Sequence, residues 1–114
     1  MKLGNQVVSL KLAKCLKELN CKQESLWWWI IRAEGNPIIV GKDKRYTTTF
    51  ISSSYSAFTV AELGELLPKD YYSQFNGDQW MCLKEAQRIE FANTEANARA
   101  KMLIWLIENK MMEV

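Results

Sequence analysis

Residues 26–31, LWWWII in one-letter code, constrain the fold of this chain more than any other stretch. The run holds three of the five tryptophans and no polar side chain. In a strand, alternate side chains point to opposite faces, so Leu26, Trp28 and Ile30 would line one face and the other three the opposite face. Neither face suits contact with water. We therefore expect a strand that is covered on both faces, or one that holds a face open for a partner.

The spacing of apolar and capping residues predicts three helices, over residues 9–19, 60–67 and 94–112. Each begins after a side chain that can accept a hydrogen bond from the first turn: Ser9, Thr59, and Asn93 or Thr94. In the middle helix, Glu62 completes a capping box with Thr59. Its inward-facing residues are expected to be Leu63, Leu66 and Leu67.

Short runs of β-branched and aromatic residues predict strands that are joined as hairpins. The tryptophan-rich strand, 25–33, is followed by the turn residues 34–37 and by a second strand over 38–40. A charged loop over 41–45 then leads to a third strand, 46–51, and serines 52–54 form a polar connector. Asn76-Gly77 predicts a second hairpin between 71–75 and 80–83, and 88–91 adds another short strand.

This order of elements predicts a single α+β domain over residues 1–114, in which the helices pack on an antiparallel sheet built from hairpins. With 48% hydrophobic and 25% charged residues, the composition is ordinary for a globular protein. The longest apolar runs, 26–31 and 102–107, are far below the roughly 18 residues needed to span a bilayer. Since the first residues also lack an apolar leader, we expect a cytoplasmic protein without membrane contact, whose three cysteines are reduced.

The sequence contains no histidine, so Cys-His and Ser-His-Asp arrangements cannot be built. Nucleotide-binding glycine motifs and the usual zinc-binding patterns are also missing. The acidic residues are scattered, and no pair has a spacing that demands a shared site. We therefore expect no enzyme activity, no cofactor and no metal.

Two other classes of function stay open. Lys42, Lys44 and Arg45 lie beside the tryptophan-rich strand, and cations next to aromatic rings hold single-stranded nucleic acid, with Trp27 and Trp29 as the stacking platform. On the other interpretation, the basic residues are a solvated loop and the tryptophans belong to the core. A net charge of only +2 does not favour a dedicated duplex binder.

A protein interface is the interpretation that the long C-terminal helix favours. The helix carries two apolar faces, more than docking on one sheet requires, so the second must meet another helix or another subunit. This second face comprises Ala98, Met102, Trp105 and Met112. Aromatic residues and methionine are enriched in interface cores. The sequence therefore predicts a non-enzymatic interaction protein, an adaptor, an inhibitor or a homo-oligomer, with single-stranded nucleic-acid binding as the alternative.

Three segments carry a resemblance to known sequences: 8–19 (VSLKLAKCLKEL), 56–68 (SAFTVAELGELLP) and 93–110 (NTEANARAKMLIWLIENK). They resemble a group of small uncharacterised proteins encoded by bacterial phages and prophages. The resemblance implies a cytoplasmic accessory protein of a bacterial host cell, of a kind that often binds host or phage macromolecules. The group brings no established activity, so it implies no catalytic or binding residue.

Overall fold

Strands form two separate antiparallel sheets in the structure, a computed structural model that describes residues 2–45, 51–85 and 88–113. The helices are α1 (Leu3–Gln6), α2 (Leu10–Glu18), α3 (Lys42–Arg45), α4 (Val60–Leu66) and α5 (Glu95–Glu108). The strands are β1 (Trp27–Arg32), β2 (Ile38–Gly41), β3 (Ile51–Ser56), β4 (Tyr72–Phe75), β5 (Trp80–Leu83) and β6 (Ile89–Ala92). One sheet has the order β2-β1-β3 and the other β4-β5-β6. The predicted antiparallel α+β fold is confirmed, with its strands divided between the two sheets.

The first sheet is built around the tryptophan-rich strand. β1 pairs antiparallel with β2 across the predicted turn, where Gly35 has a φ of +91° that a residue without Cβ adopts at little cost. On its other side β1 pairs with β3, which includes the serines predicted as a connector: Ser53 lies opposite Ile31 and Ser54 opposite Ile30. That prediction was wrong because pairing with a central strand overrides the low strand propensity of serine.

Two other predictions in this region have different outcomes. The charged loop predicted over 41–45 is wrong, since Gly41 ends β2 and Lys42–Arg45 form the one-turn helix α3. Four consecutive polar residues can complete a helical turn at the surface, where hydropathy spacing carries no information about it. The predicted strand over 46–51 overlaps the structure only at Ile51, which begins β3, and residues 46–50 lie outside the described residues.

The second sheet confirms the predicted hairpin around Asn76-Gly77. β4 pairs with β5, and the first pair after the turn is Phe75 with Trp80. The connection therefore has four residues, 76–79, as the predicted strand bounds require. The carboxamide oxygen of Asn76 accepts hydrogen bonds from the backbone N–H groups of Asp78, at 2.9 Å, and Gln79, at 2.7 Å. An asparagine side chain that imitates a backbone turn in this way closes the loop.

All three predicted helix caps are present. Ser9 and Thr94 accept a hydrogen bond from the backbone N–H three residues on, and Thr59 with Glu62 forms the complete capping box. The last helix ends at Glu108, before the predicted 112. In α4 the prediction for Leu66 was wrong: it is 37% exposed, because the buried Leu63 and Leu67, one turn apart, occupy the inward stripe. The short helix α1 was not predicted.

α5 lies at the centre of the molecule. It contacts β4, β5 and β6 on one side and α1, α2 and α4 elsewhere on its surface. Its buried residues accordingly fall all around the helix: Ala96, Ala98, Ala100, Met102, Leu103, Ile104 and Leu106. The backbone N–H of Ser9 donates to the Asn97 carboxamide oxygen at 2.8 Å, which ties the start of α2 to α5. Every helix in the described ranges is too short or too polar to cross a membrane.

Arg99 of α5 joins three elements through its guanidinium group. Its Nε donates to Ser73 Oγ in β4 at 2.5 Å, and its Nη1 donates to the carbonyl oxygen of Val60 in α4 at 2.9 Å. Its Nη2 lies 3.3 Å from a carboxylate oxygen of Glu95, one turn earlier in α5. The side chain is only 21% exposed. Arg99 therefore fixes α4 and the second sheet against the central helix.

Candidate functional site

The face of α5 that was predicted as a protein interface is largely internal. Ala98 and Met102 are fully buried within one copy of the chain, so neither side chain is presented at its surface. The reason is that α5 contacts both the second sheet and the helices α1, α2 and α4 of its own chain, so its apolar faces are covered within one copy. Trp105 and Met112 are half-buried and pack against the same core. The Trp105 ring is also covered by the guanidinium group of Arg88, 5.1 Å from the ring centroid.

The tryptophans of β1 are also largely enclosed. On one face Trp28 and Ile30 are buried. On the other face Trp27 and Trp29 are half-buried, and the indole Nε1 of Trp29 donates a hydrogen bond to the carbonyl oxygen of Val8 at 2.9 Å. Trp29 packs against the core of the domain. This strand is therefore better described as covered on both faces than as an open stacking platform.

The basic segment predicted to contact nucleic acid lies at the end of the first sheet. Lys42 and Lys44 are exposed on α3, and the side chain of Arg45 lies outside the described residues. Lys42 lines a cleft of about 690 Å³, together with Gln23, Glu24, Ser25, Leu26, Trp28, Asp43 and Glu62. Among these lining residues one ammonium group faces three carboxylates. That balance does not attract a phosphate backbone.

Two of the three carboxylates of this cleft are engaged by neighbouring groups. Glu62 Oε1 accepts hydrogen bonds from the backbone N–H and the hydroxyl of Thr59, and its Oε2 accepts one from the backbone N–H of Leu26 at 3.1 Å. Glu24 lies 3.2 Å from the ammonium group of Lys22. Glu62 therefore holds the start of β1 against α4. Within the described residues no group of three or more cysteine, aspartate or glutamate side chains is placed to hold a metal ion.

The second sheet presents a different surface. The strand registers align Tyr72, Leu83 and Ile89 in one row and Gln74, Met81 and Phe91 in the next, all on the same face. The opposite, inner face packs on α5 and carries the buried Cys82 and Ala92. We call the face formed by the two rows the outer face.

The outer face is apolar and open to solvent. Tyr72 is 47% exposed, Ile89 41% and Phe91 42%, while Met81 and Leu83 between them are half-buried. A single exposed apolar residue needs no explanation, but five on one face of a sheet form a contiguous patch. The outer face is therefore the candidate functional site.

Two ion pairs of the described residues border the outer face, and one of them is Arg88 with Glu90 of β6, at 3.0 Å. Lys84, directly after β5, lies 2.8 Å from the carboxylate of Asp70, which precedes β4. The hydrogen bond from Lys84 lowers the pKa of Asp70, and the same bond raises the pKa of Lys84. Both groups are thus charged near neutral pH and compensate each other at the border of the patch.

Sequence reasoning missed the outer face although its pattern is visible. Trp80–Leu83 are four apolar residues in a row, which makes both faces of β5 apolar, and Ile89 and Phe91 alternate on β6. In a three-layer domain, both faces of β5 would be covered. The sequence does not indicate that only α5 is available to cover this sheet, on one of its faces. The protein interface was predicted on the long C-terminal helix instead, because the two apolar faces of that helix are the longest such pattern in the chain.

The described cysteines offer no accessible nucleophile next to this face. Burial raises the pKa of the Cys82 thiol from 9.0 to about 11, so the group stays protonated near neutral pH. Burial also raises the pKa of Cys21. Cys82 points from β5 towards α5, on the inner face of the sheet. Cys21 and Cys82 therefore belong to the core, and neither thiol is presented on the outer face.

No protein-family model, curated protein or solved structure matches the chain.

Proposed function

We propose that this protein is a non-enzymatic protein-interaction module, an adaptor or inhibitor, that binds a protein partner through the outer face of β4, β5 and β6. The observation that carries the proposal is the exposure of Tyr72, Ile89 and Phe91 on one sheet face. This surface replaces the helix face that the sequence had suggested.

The size of the patch supports a binding role. At about 200 Å² for a whole aromatic side chain, Tyr72 and Phe91 expose roughly 90 Å² each. With Ile89, Met81 and Leu83 the patch reaches roughly 300 Å², where the largest patches of monomeric proteins begin and are often functional. Covering it would contribute about 7 kcal/mol of gross transfer free energy, which offsets part of the cost of association.

A non-enzymatic role has two further supports. The sequence lacks histidine, the commonest general base near neutral pH. The cleft beside Lys42 has its Glu62 carboxylate engaged in three hydrogen bonds that stabilise the fold. Cofactor or metal chemistry is not part of the proposal.

Photo-crosslinking at two matched positions tests the proposal. A benzoylphenylalanine is introduced at Phe91, on the outer face, or at Phe75, which is 52% exposed at the end of the hairpin and serves as the control. We expect a protein adduct from position 91 and none from position 75. Excess wild-type protein should compete the adduct away, and excess Phe91→Lys protein should not. Equal adducts at both positions, or equal competition by both proteins, would contradict the proposal.

Single-stranded nucleic-acid binding through Lys42, Lys44 and Arg45, with Trp27 and Trp29, has less support. The cleft beside Lys42 is lined by more carboxylates than ammonium groups, and Trp29 is engaged with the core. Titration with oligonucleotides at low salt measures this alternative directly. We expect no salt-sensitive quenching of tryptophan emission.

The biological setting in the proposal is the cytoplasm of a bacterial cell, as an accessory protein of phage or prophage origin. Its support is the resemblance of segments 8–19, 56–68 and 93–110. In the structure these segments contain α2, α4 and α5, which build the core. The segments that carry the resemblance are therefore scaffold, and the outer face lies elsewhere in the chain.

A further inference from the structure

We infer that the partner of the outer face is a second copy of this chain, which packs sheet to sheet in a two-fold symmetric dimer. The inference rests on the proposed function and names its partner. It is carried by the charge and composition of the face, and the area of the face sets how weak the contact is.

The outer face carries no charge of its own. In a two-fold symmetric contact a surface meets a copy of itself, so a face with net charge repels its partner. The six side chains of the two rows are Tyr72, Gln74, Met81, Leu83, Ile89 and Phe91. The ion pairs at its border, Lys84 with Asp70 at 2.8 Å and Arg88 with Glu90 at 3.0 Å, are each closed within one copy. Two copies can therefore approach without repulsion between their faces.

The single amide on the face suits a self-complementary contact. Gln74 is exposed on the edge strand β4, in the row that Met81 and Phe91 complete. A carboxamide both donates and accepts hydrogen bonds, so it can pair with another carboxamide or with the hydroxyl of Tyr72 in a second copy. The apolar residues meanwhile form the centre of the contact. This is the arrangement of an apolar core with a polar rim that protein interfaces share.

The area of the face sets the strength of the dimer. Two patches of roughly 300 Å² bury roughly 600 Å² of apolar surface, below the range of about 1,200–2,000 Å² for stable complexes. The dimer is therefore reversible, and each copy folds around its own core. Sheets stack about 10 Å apart, so three short strands from each copy fit face to face.

Sedimentation velocity and light scattering from about 10 µM to about 1 mM protein measure the association. We expect a monomer at the low end and a growing dimer fraction at the high end. Met81→Lys, in the central strand, should weaken association at least about 10-fold by placing like charges near the two-fold axis. The matched control is Met111→Lys, because Met111 is 53% exposed and follows α5. It should leave the association unchanged.

A charge-swap experiment assigns the contact to this face. Met81→Lys and Met81→Glu should each be monomeric alone and should associate when mixed, which a loss of folding cannot imitate. Since Met81 is half-buried, Phe91→Lys provides a second disruptive variant at a more exposed position. Circular dichroism and thermal unfolding verify that each variant is folded.

The outcomes separate this inference from the proposed function. A strict monomer at about 1 mM overturns the dimer, and so does a dimer that neither Met81→Lys nor Phe91→Lys weakens. If the chain is monomeric while the crosslink from position 91 still joins a different protein, the proposed function stands and its partner is another protein. If no position-specific crosslink forms either, both are wrong.

Discussion

Replacing Gly64 by alanine should destabilise this protein, although the change favours helix formation. Gly64 lies inside α4, where alanine is worth about 1 kcal/mol more than glycine in an isolated helix. In the folded protein, however, a Cβ at this position would collide with Nη1 of Arg99. The guanidinium group must move to make room for the new methyl group.

The size of the destabilisation follows from the hydrogen bonds that the Arg99 guanidinium group makes. Nη1 donates to the Val60 carbonyl oxygen at 2.9 Å, and the same group is held by Ser73 and Glu95. Losing one hydrogen bond from a charged donor costs about 1.5–3 kcal/mol. Against a gain of about 1 kcal/mol from helix propensity, the net loss is about 1 kcal/mol, or about 4 °C in Tm for a domain of this size.

A double-mutant cycle with Arg99→Met separates the gain in helix propensity from the loss of the Arg99 hydrogen bond. Methionine keeps much of the aliphatic stem and removes the guanidinium group, so the collision disappears. Thermal and urea unfolding of the four proteins should show Gly64→Ala destabilising the wild type and stabilising the Arg99→Met background by about 1 kcal/mol. The same sign of effect in both backgrounds would refute the reasoning.

Three further predictions test the caps, the buried thiol and the exposed ion pair. Thr94→Ala removes the cap of α5 and should lower the free energy of unfolding by about 1 kcal/mol in urea titrations, with a smaller loss for Thr94→Ser. At pH 8 iodoacetamide should modify Cys15 and leave Cys82 unmodified in the native protein, as mass spectrometry of peptides would show. The pKa of Cys82 in the folded protein is raised from 9.0 to about 11, because the folded state favours the protonated thiol. The contribution of this protonated thiol to stability is therefore complete below pH 9.0 and is lost as the pH rises towards 11. Since the folded pKa of Asp70 is lowered, its ion pair contributes above the ordinary value of 3.8 and the contribution is lost as the pH falls through the lowered pKa. Carboxyl NMR titration of Lys84→Met should return the Asp70 midpoint towards 3.8.

The parts of the fold that local chemistry determines could be predicted from the sequence. Helix caps act within one turn, so Thr59 with Glu62 and Thr94 marked real helix starts. The turn residues between β1 and β2, and Asn76-Gly77, likewise located both hairpins. The serines of β3 could not be recognised as a strand because their position depends on hydrogen bonds to β1, which is distant in the sequence.

The candidate site was harder to predict for a physical reason. Periodicity shows that a helix or strand has an apolar face, and it does not show what covers that face. Met102 on α5 and Phe91 on β6 both belong to apolar patterns, yet Met102 is enclosed by its own chain and Phe91 is 42% exposed. The difference arises from how many layers the domain can build, which depends on the whole packing arrangement.

The central position of α5 has a consequence for how the chain reaches its folded state. Each hairpin can form soon after its own residues leave the ribosome, since its contacts are local. The inner face of β4–β6 and the apolar sides of α2 and α4 find their cover only when residues 95–108 follow. Nascent chains that stop before this helix would expose those surfaces together and would be substrates for chaperones. Completion of α5 is thus the step that converts a set of local structures into one cooperative unit.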